Sequence, residues 1–397
     1  MKKGLTSFGG AMTIISTMLG AGINFMPAAF RSLGYLYSIY SMMFIVFLTA
    51  LTLFTIGYSA HLNKRTSKTY SSIGYDFHKY VGYSVDLTIF FSQFFVGIFF
   101  HKYMVNLLIL FLFGINETDK NYQTYKNGAL LSTGTILYGL SLLKDLSSLK
   151  FTSYLSVFSV IYVTILMIFF NFYFGDTIRQ GDFLSKNTEF SFGLKYIILG
   201  MSCQVNMVSV YSELISKSAK GLVFISMFSS IMGGMIYGLV GLCGYRILGM
   251  SIGTDDIIKM FCSESSPINQ ALKDKNFILK FAPKIAIIGA IIVLLGSFPL
   301  QLNPASTILL KIIGRKDEKS RIILITGLFI SMLIINIIDV KLNTIMLFLG
   351  GILSNSISFF FPSLYYILSV RKVNALSILS GLTILFSLFA GAFILFY

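Results

Sequence analysis

The stretch STMLGAGINFMP, residues 16–27, lies inside a long apolar run near the start of the chain. Gly20 and Gly22 each lower helix propensity by about 1 kcal/mol relative to alanine, and Pro27 has no backbone N–H to donate. The stretch therefore predicts a helix that breaks at Gly20–Gly22 and then resumes. The amide groups and dipole at the start of a second half-helix suit a carboxylate ligand. A glycine-lined packing contact between two helices is the alternative that the stretch leaves open.

A second apolar run has a polar interruption, GMSCQVNM, at residues 200–207. Polar groups at membrane depth are costly and usually face a cavity or another helix. Unwinding at this point would free carbonyl oxygens for an ammonium group, and the side chains would shape a pocket. Hydrogen bonding of Gln204 and Asn206 to a neighbouring helix is the competing interpretation.

The composition extends this interpretation to the whole chain. Of 397 residues, 55% are hydrophobic and only 12% are charged, whereas soluble domains carry about 25% charged residues. Apolar runs of about 18 residues or more recur, each long enough to cross a hydrocarbon core of roughly 30 Å. Because the backbone of such runs must satisfy its own hydrogen bonds, only helices fit. The sequence predicts an all-α polytopic membrane protein embedded in a lipid bilayer.

Eleven transmembrane helices are predicted, at residues 8–30, 36–60, 86–113, 127–143, 151–174, 194–213, 221–247, 281–300, 321–338, 344–369 and 375–396. They form one domain over residues 1–397. Because an odd number of spans reverses the orientation of a repeat, residues 1–175 and 190–370 are predicted to form two inverted five-helix halves. The eleventh helix, 375–396, follows them.

The charges indicate how the chain is oriented. The net charge of +15 comes from lysines and arginines clustered in short segments between apolar runs, which does not favour nucleic acid as a partner. These clusters alternate with acidic loops, so the N-terminus is predicted to be cytoplasmic. The sequon Asn116-Glu117-Thr118 falls in a predicted outer loop, which favours the plasma membrane.

No enzyme signature is present in the sequence. It has no HExxH, GxSxG or Walker pattern, and three histidines and three cysteines offer little for a metal site or a disulfide framework. We therefore expect a non-enzyme without a metal cofactor. Lys102, in the third span, is predicted to extend to the outer membrane interface, and His101 is predicted to be a packed histidine.

Five motifs occur in the order in which they occur in the amino acid/auxin permease family, and the chain resembles its sodium-coupled neutral amino-acid transporters. The motifs are LGAGINFMPAAF at 19–30, KDLSSL at 144–149, CQVNMVSVYSEL at 203–214, FPLQLNP at 298–304 and FPSL at 361–364. The resemblance implies a LeuT-like fold, a 5+5 inverted repeat plus one extra helix, with helices one and six unwound around an amino acid. It also implies secondary active, alternating-access transport of neutral amino acids such as glutamine.

The resemblance assigns candidate site residues. The substrate carboxylate falls to Gly20, Ala21 and Gly22, and the amino-group side falls to Ser202, Cys203 and Gln204. Two polar residues, Asn24 and Asn206, complete the candidate substrate site. A sodium ion would lie between Ser16, Leu19 and Ser297.

The sequence departs from the sodium-coupled members at three positions: Ser16 replaces an asparagine, Ser297 replaces a threonine but keeps the hydroxyl group, and Gln204 replaces a frequent histidine. Sodium coupling, proton coupling and exchange therefore all stay open. A membrane sensor that binds an amino acid without significant flux is the alternative function. The resemblance also makes a lysosomal or vacuolar membrane the alternative location, and the oligomeric state is not predicted.

Overall fold

The computed structural model describes residues 4–62, 69–115, 117, 119–143, 150–178, 189–253, 256–262 and 266–396. These residues form seventeen α-helices joined by short 3₁₀ and π segments. The helices are α1 Ser7–Met18, α2 Met26–Leu33, α3 Tyr35–Leu62, α4 Tyr70–Phe77, α5 Lys79–Phe113, α6 Tyr122–Ser141, α7 Lys150–Ile178, α8 Phe190–Gly200, α9 Met207–Glu213, α10 Ala219–Leu248, α11 Ile257–Cys262, α12 Pro267–Leu272, α13 Phe277–Ile313, α14 Glu318–Ile337, α15 Leu342–Leu347, α16 Phe361–Val370 and α17 Ala375–Phe396.

The first predicted span is a broken helix. After α1 ends at Met18, Gly20 is extended with φ −140° and ψ −165°, and a 3₁₀ helix at Ala21–Phe25 leads directly into α2. The two halves are bent by 57°. The predicted break at Gly20–Gly22 is therefore present.

The sixth predicted span is broken in the same way. α8 ends at Gly200, a 3₁₀ turn forms at Gln204–Asn206, and α9 begins at Met207. The polar interruption predicted from the sequence coincides with this gap. The two halves have 11 and 7 residues, whereas a straight transmembrane helix needs about 20.

Eight helices among the described residues are long and apolar enough to cross a membrane, or nine when α1 and the Gly22–Leu33 segment count as one bent span. The chain is thus a multi-pass membrane protein, but the predicted count of eleven is not confirmed. Span six is divided into two short helices, and α6, at the predicted fourth span, carries serine, threonine, asparagine and lysine residues along its length. The division into two inverted halves stays a prediction.

The helix α13 extends further than its predicted span. We expected the FPLQLNP motif to close a helix at residue 300, but α13 continues through Pro299 and Pro304 to Ile313. The side chain of Asn303 donates hydrogen bonds to the carbonyl oxygens of Pro299 (3.1 Å) and Ser141 (3.2 Å). The second of these bonds links α13 to the end of α6.

Helix α10 forms the surface against which helix one packs. A methyl group on Gly241 would lie 2.6 Å from the ring of Phe30, and one on Gly244 would lie 2.4 Å from Pro27. Small residues allow this close approach of two backbones in a membrane. A packing contact between helices was the alternative interpretation of Gly20–Gly22. The glycines of α10 fit that interpretation better than the glycines of helix one.

The two ends of the bundle differ in their connections. We call the end that carries residues 249–276, between α10 and α13, the loop end, and the opposite end, where α13 meets α14, the basic end. At the basic end Leu5 pairs with Leu214 in an isolated parallel bridge. Leu5 N–H donates to the Glu213 carbonyl (2.8 Å) and Ile215 N–H donates to the Leu5 carbonyl (2.9 Å), so the ends of helix one and helix six are joined there.

Candidate functional site

The breaks in helices one and six lie against each other. A methyl group on Gly22 would be 3.6 Å from the Cα atom of Gly200. The first amide groups of a helix and its last carbonyl groups lack partners within that helix, although at the end of α8 the carbonyl groups of Ile197 and Leu199 accept from the amides of Met201 and Ser202. Donors for a carboxylate and acceptors for an ammonium group therefore come together at one place in the bundle.

Tyr237 of α10 holds the end of α1 in place. Its hydroxyl group donates a 2.6 Å hydrogen bond to the carbonyl oxygen of Met18, and it lies 3.5 Å from the amide nitrogen of Gly20. Tyr237 is buried. A residue of α10 thus fixes the backbone immediately before the break.

A cavity of about 20 Å³ lies beside the break in helix one. This volume corresponds to about one water molecule, so an amino acid enters only if the surrounding helices move apart. The cavity is lined by Gly20, Ile23, Asn24, Tyr103, Ser156, Ser159, Val160, Val163, Ala290, Val293 and Leu294. None of these lining residues has a charged side chain.

Aromatic rings cover this region on the side of Phe25. The Phe25 ring stacks on Tyr196 with centroids 5.2 Å apart and planes at 9°. Tyr103 and Phe99 lie 5.6 and 5.7 Å from the same ring. All four residues are buried, so the resumed part of helix one, α5 and α8 pack together here.

A much larger cavity, of about 720 Å³, lies towards the basic end. Its wall includes Val205, next to the break in helix six, and the ion pair between Asp86 and Lys311, whose atoms are 2.7 Å apart. Tyr103 follows Asp86 by 17 residues on α5, or about 26 Å of helix. The two cavities therefore lie at different depths.

The candidate residues of helix six differ in burial and in hydrogen-bond partners. Gln204 is fully buried, accepts a hydrogen bond from the Cys203 amide (2.9 Å) and donates one to Thr52 of α3 (3.1 Å). Ser202 accepts a 2.8 Å hydrogen bond from Ser358. The Asn206 side chain is exposed and does not line the small cavity. Gln204 thus forms the interhelical bond that was the competing interpretation, and it also orders the backbone at the break.

The candidate ion residues have different surroundings. The Ser16 hydroxyl group is exposed and donates to the Thr13 carbonyl (2.8 Å), while Leu19 is buried and ends α1. Ser297 is half-buried. Ala290 and Leu294 line the cavity, and Ser297 lies on the same face of α13, one turn further towards the basic end. Among the described residues, Gly20 and Asn24 are the candidate site residues that line the small cavity.

Lys102 is buried and paired with a carboxylate. Its side chain is only 7% exposed, and its ammonium group donates to Asp339 Oδ1 and to the Val340 carbonyl, both at 2.7 Å. Lys126 binds the same Asp339 oxygen at 2.9 Å. Asp339 is 41% exposed and lies between α14 and α15, at the loop end. The predicted extension of Lys102 to the interface stays a prediction; the structure adds a carboxylate partner that is distant in sequence.

His101 is fully buried and paired through both ring nitrogens. Nε2 lies 3.2 Å from the Leu130 carbonyl and the Thr133 hydroxyl group, and Nδ1 lies 3.3 Å from the Asn336 amide. This is the environment of a packed histidine, as predicted.

Four site residues were missed by sequence reasoning. Tyr237 gives no local signal, being a single tyrosine in an apolar run, and Ser156 and Ser159 of α7 are hydroxyl residues in another such run. Tyr103 follows the polar pair His101-Lys102, which was the available hint. The KDLSSL motif and the sequon residues Asn116 and Thr118 lie outside the described residues.

Two broken helices that meet near the centre of a multi-pass helical bundle define the class of secondary membrane transporters. The chain belongs to the family of transmembrane amino acid transporter proteins, whose profile matches residues 3–397. The family is one of transporters, not enzymes, as predicted.

Relatives and a solved structure agree with this assignment. The chain is 26% identical to vacuolar amino acid transporter 5 of Schizosaccharomyces pombe, over 92% of this chain and 86% of the relative. It is 23% identical to a Xenopus tropicalis protein named for sodium-coupled neutral amino acid transport, over 73% and 69% of the two chains. Its fold is similar to the crystal structure of MhsT in complex with L-phenylalanine, with a TM-score of 0.63, 9% identity and coverage of 98% and 100%. This similarity confirms the LeuT-like class of fold.

Proposed function

We propose that the chain is a secondary active transporter that carries a neutral amino acid by alternating access. The observation that carries the proposal is the contact of the two helix breaks, in which Gly22 faces Gly200 beside the cavity at Gly20 and Asn24. The substrate carboxylate would bind the amide groups at the start of the resumed helix one, and its ammonium group would bind the carbonyl groups at the end of α8.

The lining of the small cavity supports a neutral side chain. Asn24, Tyr103 and two serines supply polar groups, and the other lining side chains are mainly aliphatic. A charged substrate side chain without a partner would be costly in such a site. Glutamine fits because its amide group makes neutral hydrogen bonds, and the X. tropicalis relative supports the neutral class.

The two cavities support an alternating-access cycle. The aromatic cluster around Phe25 closes the site on one side, whereas the cavity of about 720 Å³ reaches Val205 from the basic end. With the predicted orientation the basic end is cytoplasmic, so this arrangement corresponds to a state closed to the outside. A coupling cation would act by binding one state more tightly than the other.

The proposal also includes the cation that drives transport and the membrane in which the chain resides. The hydroxyl groups of Ser156 and Ser159 line the small cavity and could bind sodium together with Ser297, and a proton is the other candidate. The vacuolar relative supports an internal, vacuolar-type membrane as the location of the chain. The sequon instead predicts the plasma membrane.

Uptake into proteoliposomes tests the function. Labelled glutamine and a panel of neutral, acidic and basic amino acids are supplied with an inward sodium gradient, an inward proton gradient or neither. Saturable uptake of neutral amino acids driven by one gradient is expected and identifies the cation. Binding without uptake in either orientation would instead favour a sensor, and no binding at all would overturn the proposed substrate class.

A further inference from the structure

A buried carboxylate in the loop between α10 and α13 is connected to the candidate site. Asp256 is fully buried, and its Oδ1 atom accepts hydrogen bonds from the backbone amides of Ile258 (2.9 Å) and Lys259 (3.0 Å). The same oxygen accepts a 2.9 Å hydrogen bond from the hydroxyl group of Tyr103. Asp256 thus caps α11 and at the same time binds a residue that lines the small cavity.

The bond to Asp256 determines what Tyr103 offers to the cavity. A phenol has a single hydrogen to donate, and in this structure Tyr103 donates it to Asp256. The phenol oxygen is then an acceptor towards the cavity, and the side-chain amide of Asn24 donates to it at 3.3 Å. A chain of hydrogen bonds therefore extends from the loop, through Tyr103, to the break in helix one.

This arrangement has two consequences for a bound amino acid. The acceptor oxygen of Tyr103, which here receives the Asn24 amide, suits a substrate donor such as an ammonium or amide N–H in place of that amide, and does not suit a carboxylate. The bond also requires the loop to be seated at the cavity, because Asp256 is in the loop and Tyr103 is in α5.

We propose that Asp256 is a positioning residue: it orients the Tyr103 hydroxyl group so that the cavity presents an acceptor, and it holds the loop closed over the loop end of the site. The inference rests on the proposed substrate site. Among the described residues, Lys259 pairs with Glu117 at 2.5 Å in the same region, so its ammonium group has its own carboxylate partner.

Three variants separate positioning from helix capping. Asp256→Asn keeps an oxygen that can cap α11 and accept the Tyr103 hydrogen. Asp256→Ser keeps a good N-cap but loses the carbonyl-type acceptor and its reach towards Tyr103. Tyr103→Phe removes the hydroxyl group itself. Asp317→Ser is the matched control, because Asp317 caps α14 through the Ser320 amide (2.9 Å) at the basic end.

Labelled glutamine uptake is the first measurement. Loss of one hydrogen bond to the substrate corresponds to about a five- to tenfold change in affinity. We expect Asp256→Ser to raise KM by about that factor with kcat largely retained, and Asp256→Asn to stay within about twofold of the wild type. Asp256→Ser added to Tyr103→Phe should have no further effect, because the two act through the same hydroxyl group.

Thiol labelling is the second measurement, and it does not depend on transport. A cysteine is placed at Ser156, which lines the small cavity, in a chain whose Cys203, Cys243 and Cys262 are replaced by serine. A membrane-impermeant maleimide is applied from the loop end. Asp256→Ser and Tyr103→Phe should each label about fivefold faster or more, while Asp256→Asn and Asp317→Ser should label like the parent.

The outcomes are distinct. Wild-type behaviour of Asp256→Ser, or an effect of Asp256→Ser that persists with Tyr103→Phe, would show that Asp256 does not act through the Tyr103 hydroxyl group and would overturn the inference. Equal impairment of Asp256→Asn and Asp256→Ser would overturn it as well, because Asp256→Asn keeps the acceptor. If the wild type transports no amino acid, the proposed function fails, and the labelling pattern alone then decides whether Asp256 holds the loop closed through Tyr103.

Discussion

The Tyr237 hydroxyl group donates a 2.6 Å hydrogen bond to the carbonyl oxygen of Met18, the last residue of α1. The two residues are 219 positions apart in the chain. They approach closely because Gly233, one turn earlier on α10, has no side chain: a methyl group there would lie 2.1 Å from the Met18 sulfur atom. The unwound segment of helix one is therefore anchored to α10 on one side and adjoins helix six on the other.

Removing this anchor tests its contribution. Tyr237→Phe would leave the buried Met18 carbonyl without its partner, at a cost of about 1–3 kcal/mol. We expect a thermal midpoint lowered by a few degrees in detergent and glutamine uptake reduced about tenfold, because the backbone before Gly20 is no longer fixed. Tyr40→Phe, at an exposed position on α3, is the control. Unchanged uptake and stability in Tyr237→Phe would show that the bond does not order the site.

Substitutions of Gly22 test the contact between the breaks. A single methyl group at Gly22 meets the Cα atom of Gly200 at 3.6 Å, an ordinary van der Waals distance, whereas a larger side chain has no room. We expect Gly22→Ala to retain partial uptake and Gly22→Leu to abolish it while expression is largely maintained. Gly238→Leu provides the control, because a side chain on Gly238 meets no atom within 4 Å. Normal uptake kinetics in Gly22→Leu would contradict the proposed site.

The two breaks were predictable from the sequence because their causes are local. Two glycines and a proline within eight residues lower helix stability at that point, and the polar run at 200–207 is unfavourable in lipid. The substrate site between those breaks is a prediction from the resemblance to a known family, and the small cavity itself is lined by helix one, α5, α7 and α13.

The partners of the polar groups were not predictable, because they are distant in sequence. Lys102 was expected to extend to the outer interface, and the sequence did not show that Asp339 would pair with it. The roles of Tyr103 and Asp256 depend on a bond between residues 153 positions apart. The length of α13 was also missed, because the sequence predicted a helix end at the FPLQLNP motif and the helix continues through both prolines to Ile313.

The cluster of Lys102, Lys126 and Asp339 predicts a dependence of stability on pH. Partial burial opposes the charge of Asp339, but its hydrogen bonds to the two lysines prevail and lower its pKa. A lowered folded-state pKa means that the stabilisation is fully present above the ordinary value of about 4 and is lost as the pH falls through the lower folded value. We expect this contribution to the thermal midpoint to be constant between pH 5 and 7 and to decline below about pH 4.

Asp339→Asn isolates the charge in this cluster. Asp339 has φ +66°, a conformation that asparagine also tolerates. Because the substitution leaves two buried ammonium groups without their shared carboxylate, we expect the thermal midpoint at pH 7 to fall by several degrees. The difference from the wild type should narrow below about pH 4. An unchanged midpoint at pH 7 would show that the ion pairs contribute nothing net to stability.

The two serines assigned to the ion site by resemblance differ in the structure, and this difference predicts different phenotypes. Ser16 is exposed and its hydroxyl group donates to the Thr13 carbonyl, so Ser16→Ala should leave the sodium dependence of uptake unchanged. Ser297 makes no side-chain hydrogen bond with any described residue and follows the cavity-lining face of α13, so its oxygen is available to a hard cation. We expect Ser297→Ala to raise the half-saturating sodium concentration about tenfold, equivalent to about 1.4 kcal/mol. Ser297→Thr, which keeps the hydroxyl group, should restore sodium dependence. Uptake driven by a proton gradient and insensitive to sodium in the wild type and both variants would exclude a sodium site at Ser297.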